Sequence, residues 1–571
     1  MSQGQRYISR VRSAEQQPIQ DIFKTINDRV QKQIDLDPDL LLHPERLKQA
    51  VPYVGELMLG HVRYGTFGKN NIESVHPFLR QNNLMHRNLI VAGNFNLTNV
   101  NELFDNLVDL GQHPKEKADT ITVMEKIGHF LDDAVAKIYK KLKKEGFTKA
   151  EASPLIAERL NIAKILRKAS KNWDGGYAMA GLLGHGDSFV IRDPNGIRPA
   201  YYYNDDEIVV VASERPVIQT VFNVHFDSIK ELEPGQALIT KKSGASDVST
   251  ILEAREKKAC SFERIYFSRG SDAAIYQERK DLGCALFPLV HKAIGGDLEN
   301  TVFSFIPNTA ETSFYGMIGA VQDHVREQLK NELNKKGTPN IEVLTKMLGQ
   351  KPRIEKIAIK DAKLRTFITE DSGRDDLVAH VYDITYGVVK KTDNLVIVDD
   401  SIVRGTTLKK SILRILDRLG PKKIIVASSA PIIKYPDCYG IYMSRMNEFI
   451  AFKAVKSLLE KNNNLAFMDK VLNACQEELK KQMEQMENKV KMLYDQFTDE
   501  EIENEIALLV TPDDIEADVE IVYQSINSLH ASCPNHLGDW YFSGNYPTPG
   551  GNQVVNRSFV YYMQGSSDRA Y

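Results

Sequence analysis

Cysteine is scarce: five residues, Cys260, Cys284, Cys438, Cys475 and Cys533, are scattered over 571, with no Cys-x-x-Cys spacing. An odd, dispersed set argues against a disulfide framework and makes a cytoplasmic compartment the expectation. Net charge is scarce too. The 73 Lys and Arg nearly balance 76 Asp and Glu, leaving −3, so nothing electrostatic points to a nucleic acid or an anionic membrane as partner. No apolar run approaches the roughly 20 residues of a membrane-spanning helix, and MSQGQRYISRVRSAEQQPIQ lacks the apolar core of a secretory signal. Gly-x-Gly-x-x-Gly is missing, as is a Gly-Lys-Ser/Thr phosphate loop, which excludes the commonest nucleotide fingerprints.

What is present exceeds one ordinary domain in length, and three regions differ in pattern. Residues 1–255 alternate short β-like runs, such as NLIVAGNFNLTN and GYAMAGLLGHGDSFVIRD, with a helical insert near 120–170. Gly, Asn and Asp bound these runs, which predicts an antiparallel sheet with flanking helices. Residues 256–465 place apolar strands (TVFSFIP, NLVIVDD, KIIVASSAP) between helical patterns, as a parallel sheet with crossover helices requires. Residues 466–571 open with a charged, amphipathic stretch that predicts an exposed helix. The aromatics of GDWYFSGNYPTPGGNQVVNRSF predict a docked tail.

The densest chemistry lies in NLVIVDDSIVRGTTLKKSI, residues 394–412. Asp399 and Asp400 fall at the end of a buried strand, where ligands of open α/β sheets sit. Two adjacent carboxylates there repel each other and resist desolvation unless a cation or polyol meets them. The following Arg404-Gly405-Thr406-Thr407 opens a helical pattern, whose first N–H groups suit a phosphate, with hydroxyls of Ser401, Thr406 and Thr407 as further donors. Together these predict a site for a phosphorylated sugar.

VIVDDSIVRGTT resembles the 5-phosphoribosyl-1-pyrophosphate (PRPP) motif of type I phosphoribosyltransferases, and in this form that of the amidophosphoribosyltransferases. The resemblance implies PRPP bound by Asp399, Asp400, Ser401, Arg404, Gly405, Thr406 and Thr407, and Mg²⁺ held with Asp399, Asp400 and Thr312. CSFERIYFSRGSD is similar to the family segment that supplies an active-site tyrosine, here Tyr266, and FSFIPNTAETSFYG to its pyrophosphate-side loop. LRTFI corresponds to the opening of the mobile catalytic loop. There the chain departs from the family: TEDSGRDDLVAHVYDITYG has five acids, leaving Arg365 and Arg374 as the catalytic cations.

The first region is similar to class II, N-terminal-nucleophile glutamine amidotransferases. The resemblance implies a glutamine site made by Arg63, which grips a carboxylate, by Asn94 and Phe95, which polarise a carbonyl oxygen, and by Asp119, which takes an α-amino group. The family pattern His-Asn-Gly is replaced by Gly93-Asn94-Phe95. The family nucleophile is a cysteine at the mature N-terminus, whereas the first cysteine here is Cys260. The expectation is that several tens of residues precede Met1, and that the 571-residue chain itself works with ammonia.

The implied fold is an N-terminal-nucleophile-type αββα sandwich, incomplete at its start, then a type I phosphoribosyltransferase doubly wound parallel sheet and a helical C-terminal extension. The implied activity transfers glutamine-derived ammonia to PRPP in purine synthesis, and the implied assembly is a homo-oligomer. Some family members bind a [4Fe–4S] cluster through four cysteines. Cys260 and Cys438 match two of these and Cys533 lies in the right region, but no fourth accompanies them, so free thiols are expected. A PRPP-sensing protein derived from the enzyme is the alternative function; a salvage transferase acting on a base would leave the first region idle.

Overall fold

The computed structural model describes residues 8–62, 72–112, 114, 118–334, 341–349, 351–360, 382–440, 443, 445–566, 568 and 570. Arg63, Arg365 and Arg374 lie outside the described residues. The chain divides into two compact units, one of residues 1–257 with 438–442 and one of residues 258–437 with 443–570.

The first unit is built on a six-stranded antiparallel sheet, in the order Phe78–Arg80, Leu89–Leu97, Gly175–Leu183, Ser188–Arg192, Gln236–Thr240 and Ser246–Thr250. Period-two alternation sorts its residues between two faces. Leu89, Val91, Phe95 and Leu97, with Met179 and Ile191, pack against helices Asp119–Lys144, Lys149–Arg159 and Ile162–Ala169 through Leu131, Val135, Ile165 and Leu166. The predicted insert is therefore three helices covering the sheet. Ala178, Val190, Leu238 and Val248 face the other way, onto a three-stranded sheet of Val209–Ala212, Tyr201–Asn204 and Lys230–Glu231. Helix Arg215–Phe222 covers that second sheet through Ile218. Helix, sheet, sheet and helix make the αββα sandwich.

The second unit holds a five-stranded, wholly parallel sheet ordered Arg353–Ile354, Thr301–Phe305, Asn394–Asp399, Lys423–Ser428 and Asp518–Tyr523. Strand Asn394–Asp399 is central, and Leu395 to Val398 are buried on both faces, which is why the sequence there is a continuous apolar run. Phe303, Val396, Val398, Ala427 and Val522 pack against helices Ala273–Ala293 and Glu311–Leu333. Helices Ile450–Lys461 and Asp499–Val510 cover the opposite face.

Residues after 465 are mostly helical, but they are not a separate domain: they supply the edge strand Asp518–Tyr523 and belong to the second unit. Nor is 466–493 one exposed helix. It breaks after Ala466–Glu478, and Val471, Cys475, Leu493 and Tyr494 are buried. The tail is docked, with Trp540, Tyr541 and Phe542 buried and Trp540 Nε1 donating to Asp437 Oδ1 at 3.1 Å. Among the described residues no helix is long and apolar enough to cross a membrane.

Candidate active site

In the second unit, Asp399 and Asp400 end the central strand. The Asp400 N–H donates to Asp399 Oδ1 at 2.9 Å and Ser401 Oγ to Asp400 Oδ1 at 2.8 Å. Strand pairing runs on past the acids: the Ser429 and Ala430 N–H groups donate to the carbonyls of Asp399 and Asp400, at 2.9 and 3.0 Å. This fixes the backbone beneath both carboxylates. Burial, and then the charge of Asp400, pushes the Asp399 carboxyl well above the ordinary carboxylate range. That is the cost the sequence implied, and a bound cation or polyol would relieve it.

The loop beyond turns at Gly405, whose φ of +69° is the left-handed conformation. A Cβ there would meet Val510 Cγ1 at 2.8 Å. Ile402 is buried as an anchor, and the Ile450 N–H holds the Val403 carbonyl at 2.9 Å. Helical turns follow over 406–417, starting with a wide π-turn at Leu408–Ile412. Thr406 and Thr407 are exposed at that start, beside the N–H groups that lack intrahelical acceptors. Arg404 is engaged by Glu448 at 2.7 Å, so it braces the loop rather than reaching into it.

Thr312 is the second residue of helix Glu311–Leu333, which follows the neighbouring strand Thr301–Phe305 on its carboxyl side. Tyr266 sits in the turn Glu263–Phe267, partly buried, its ring stacked on Phe262 at 5.8 Å and edge-on to Phe267 at 4.9 Å. Two groups at the same sheet end had no sequence signal. Ser429 Oγ and Tyr523 Oη are buried without a hydrogen-bond partner, and Asp399, Ser428 and Tyr523 are aligned across three strands. Only strand order brings them together.

Two carboxylates suit Mg²⁺, which takes one or two protein acids and completes its shell with water and substrate phosphate. Among the described residues, no three or more His, Cys, Asp or Glu are grouped to hold a metal ion, Cys260, Cys438 and Cys533 included. All three cysteines are buried and form no disulfide. Cys260 Sγ lies 3.7 Å from Tyr541 Oη, and burial pushes the Cys533 thiol up.

In the first unit, Asn94 and Phe95 lie on strand Leu89–Leu97, with Asn94 exposed and the Phe95 ring in the core. The Gly93 N–H points toward the Phe78–Arg80 side, where it meets His76 Nδ1 at 3.4 Å. N–H groups two residues apart on a strand point the same way, so Phe95 directs its own past the end of that short strand. Asp119 begins helix Asp119–Lys144 and accepts from the Thr120 N–H at 2.7 Å. Asn96 Nδ2 donates to the Cys438 carbonyl at 2.6 Å, and Arg198 Nε to that of Tyr439 at 2.8 Å. His76 and Thr120, which sequence reasoning passed over, stand among these groups.

The first unit is thus an αββα sandwich and the second a parallel α/β sheet with an acid pair at the end of its central strand. No family model matches the chain. Its curated relatives include the amidophosphoribosyltransferases of Pasteurella multocida, 27% identical over 409 residues and covering 70% of each chain, and of Escherichia coli, 27% identical over 425 residues, covering 72% of this chain and 71% of that one. The Bacillus subtilis enzyme is 28% identical over 409 residues, again covering 70% of each chain. Among solved structures, the glutamine PRPP amidotransferase of B. subtilis complexed with ADP and GMP gives a TM-score of 0.55 at 24% identity, covering 86% of this chain and 82% of that one. A structure of the allosteric regulatory enzyme of purine biosynthesis gives 0.55 at 23%, covering 86% and 81%. The chain is similar in sequence to the amidophosphoribosyltransferases and shares the fold of these solved structures.

Proposed function

We propose that this protein is an amidophosphoribosyltransferase, joining ammonia to PRPP to give 5-phosphoribosylamine and pyrophosphate, a first step of purine synthesis. The observation that carries the reading is Asp399-Asp400 at the end of the central parallel strand, followed by the Gly405 turn into a helix. In this reading the carboxylates accept hydrogen bonds from the ribose hydroxyls. Backbone N–H groups at the start of 406–417, with Ser401, Thr406 and Thr407, hold the 5-phosphate. The ammonia lone pair forms the bond to C1 as the C1–O bond to pyrophosphate breaks, and the product amine sheds a proton. Asp399, Asp400 and Thr312 would hold a Mg²⁺, which when bound screens the charge of the leaving pyrophosphate.

The first unit is read as a glutamine-binding domain, with Arg63, Asn94, Phe95 and Asp119 as the glutamine-binding residues, while the 571-residue chain itself works with ammonia. Within these 571 residues no cysteine precedes Cys260, so ammonium salts are the nitrogen source for the assay. The test is pyrophosphate release from PRPP with Mg²⁺ and ammonium. Ammonium-dependent release supports the enzyme. Saturable PRPP binding without release would instead establish the sensing protein.

A further inference from the structure

We propose that His76 is a positioning residue of the glutamine site, locking the Asn94–Phe95 strand to the helix that starts at Asp119. The inference rests on the reading of the first unit as a glutamine-binding domain.

The ladder between Phe78–Arg80 and Leu89–Leu97 ends at the pair Phe78↔Val91. Continued by two residues, the same register sets residue 76 opposite residue 93. Pro77 has no N–H to extend the ladder, and the His76 side chain takes its place: Nδ1 accepts from the Gly93 N–H at 3.4 Å. An acceptor at Nδ1 leaves the proton of a neutral imidazole on Nε2, which lies 3.4 Å from Thr120 Oγ1. Thr120 adjoins Asp119 and donates its N–H to that carboxylate. The His76 ring also stacks on His61 at 4.5 Å and meets the Phe95 ring at 6.1 Å. One buried imidazole, 5% exposed, thus touches the Asn94–Phe95 strand, the helix that starts at Asp119 and the ring of His61.

Position 93 could not carry a side chain itself. A Cβ on Gly93 would lie 2.5 Å from the Ala178 carbonyl oxygen and 2.8 Å from Met179 Cα. The imidazole comes instead from the neighbouring segment and bonds the Gly93 backbone. The ladder with Gly175–Leu183 sets the direction of the Phe95 N–H, and His76 holds the free edge of that strand in place against the start of the Asp119 helix without touching the substrate.

The test is equilibrium binding of L-glutamine to the 571-residue chain and three variants, with thermal unfolding followed in parallel. His76→Asn keeps an acceptor where Nδ1 stood; His76→Gln keeps a group where Nε2 stood; His76→Leu keeps neither. The expected result is about tenfold weaker binding for His76→Leu, the worth of a lost hydrogen bond and its orientation, with His76→Asn recovering most of it and binding more tightly than His76→Gln. Wild-type affinity in His76→Leu would overturn the role of His76 and leave the glutamine reading standing. Failure of the wild-type chain to bind L-glutamine would overturn that reading and this inference with it. If His76→Leu does not fold, the Asn and Gln variants decide: equal affinities contradict the proposal.

Discussion

Arg404 and Glu448 form an ion pair 2.7 Å long, tying the loop after the acid pair to the start of helix Ile450–Lys461. The adjacent bond from Ile450 N to the Val403 carbonyl, 2.9 Å, draws the two segments together at a second point. Both groups of the pair are partly shielded, so the bond holds the loop in place at modest energetic value. Glu448→Gln is expected to raise the KM for PRPP by about two- to fivefold, the equivalent of about 0.5–1 kcal/mol, with kcat little changed. Steady-state kinetics with PRPP as the varied substrate check it.

The acid pair carries far more. Asp400→Asn removes a charge from the group proposed to meet the ribose while preserving shape, and turnover is expected to fall by about 10²–10³-fold. Because Asn is neutral, the same change relieves Asp399, whose carboxyl is raised partly by Asp400. Thermal stability of the unliganded chain is therefore expected to rise as activity falls. Calorimetry alongside the rate assay reads both.

Gly405→Ala combines two penalties. The left-handed φ of +69° costs an L-residue about 1–2 kcal/mol, and the added methyl meets Val510 and Ile450. The expected outcome is weaker PRPP binding with a lower melting temperature. Unchanged affinity would mean that the loop reshapes freely and is not the phosphate cradle.

Glu503 gives a pH signature. Burial, then the charges of Asp499 and Glu500, raises its carboxyl from 4.5 to about 7 in the folded chain. Between these values the folded state holds a proton that the unfolded state has lost, so stability falls as pH rises through this window. Denaturant unfolding at pH 5 and pH 7.5 should show that loss in the wild type and a smaller one in Glu503→Gln. Parallel curves for the two proteins would contradict it.

Core packing supplies a control away from the site. Phe314 is 1% exposed and packs on Phe305 at 5.0 Å between ring centroids. Phe314→Ala is expected to cost about 3–5 kcal/mol of stability, measured by denaturant unfolding.

Strand Asn394–Asp399 and its loop were legible in the sequence because local chemistry determines them: a doubly buried strand must be apolar throughout, and a left-handed turn favours glycine. The edge strand Asp518–Tyr523 was not. DVEIVY has short apolar content and follows a helical region, and only the partner Lys423–Ser428 makes it a strand. For the same reason Tyr523 and Ser429 could not be assigned to the sheet end that holds Asp399. Arg404 matched the motif, but its ion pair with Glu448, 44 residues away in sequence, is a tertiary fact. His76 was visible in VHPF, yet its meaning depends on register with Gly93 and on a helix that begins at Asp119. Composition and spacing carry neither.

The proposed function requires the Asp399–Asp400 site to turn PRPP over with ammonia. Its most direct measurement is the initial rate of pyrophosphate release from PRPP and Mg²⁺, with and without ammonium, for the wild type and Asp400→Asn. Ammonium-dependent, saturable release is expected in the wild type, and its loss in the variant. Release that is independent of ammonium, or equal in both proteins, would contradict it.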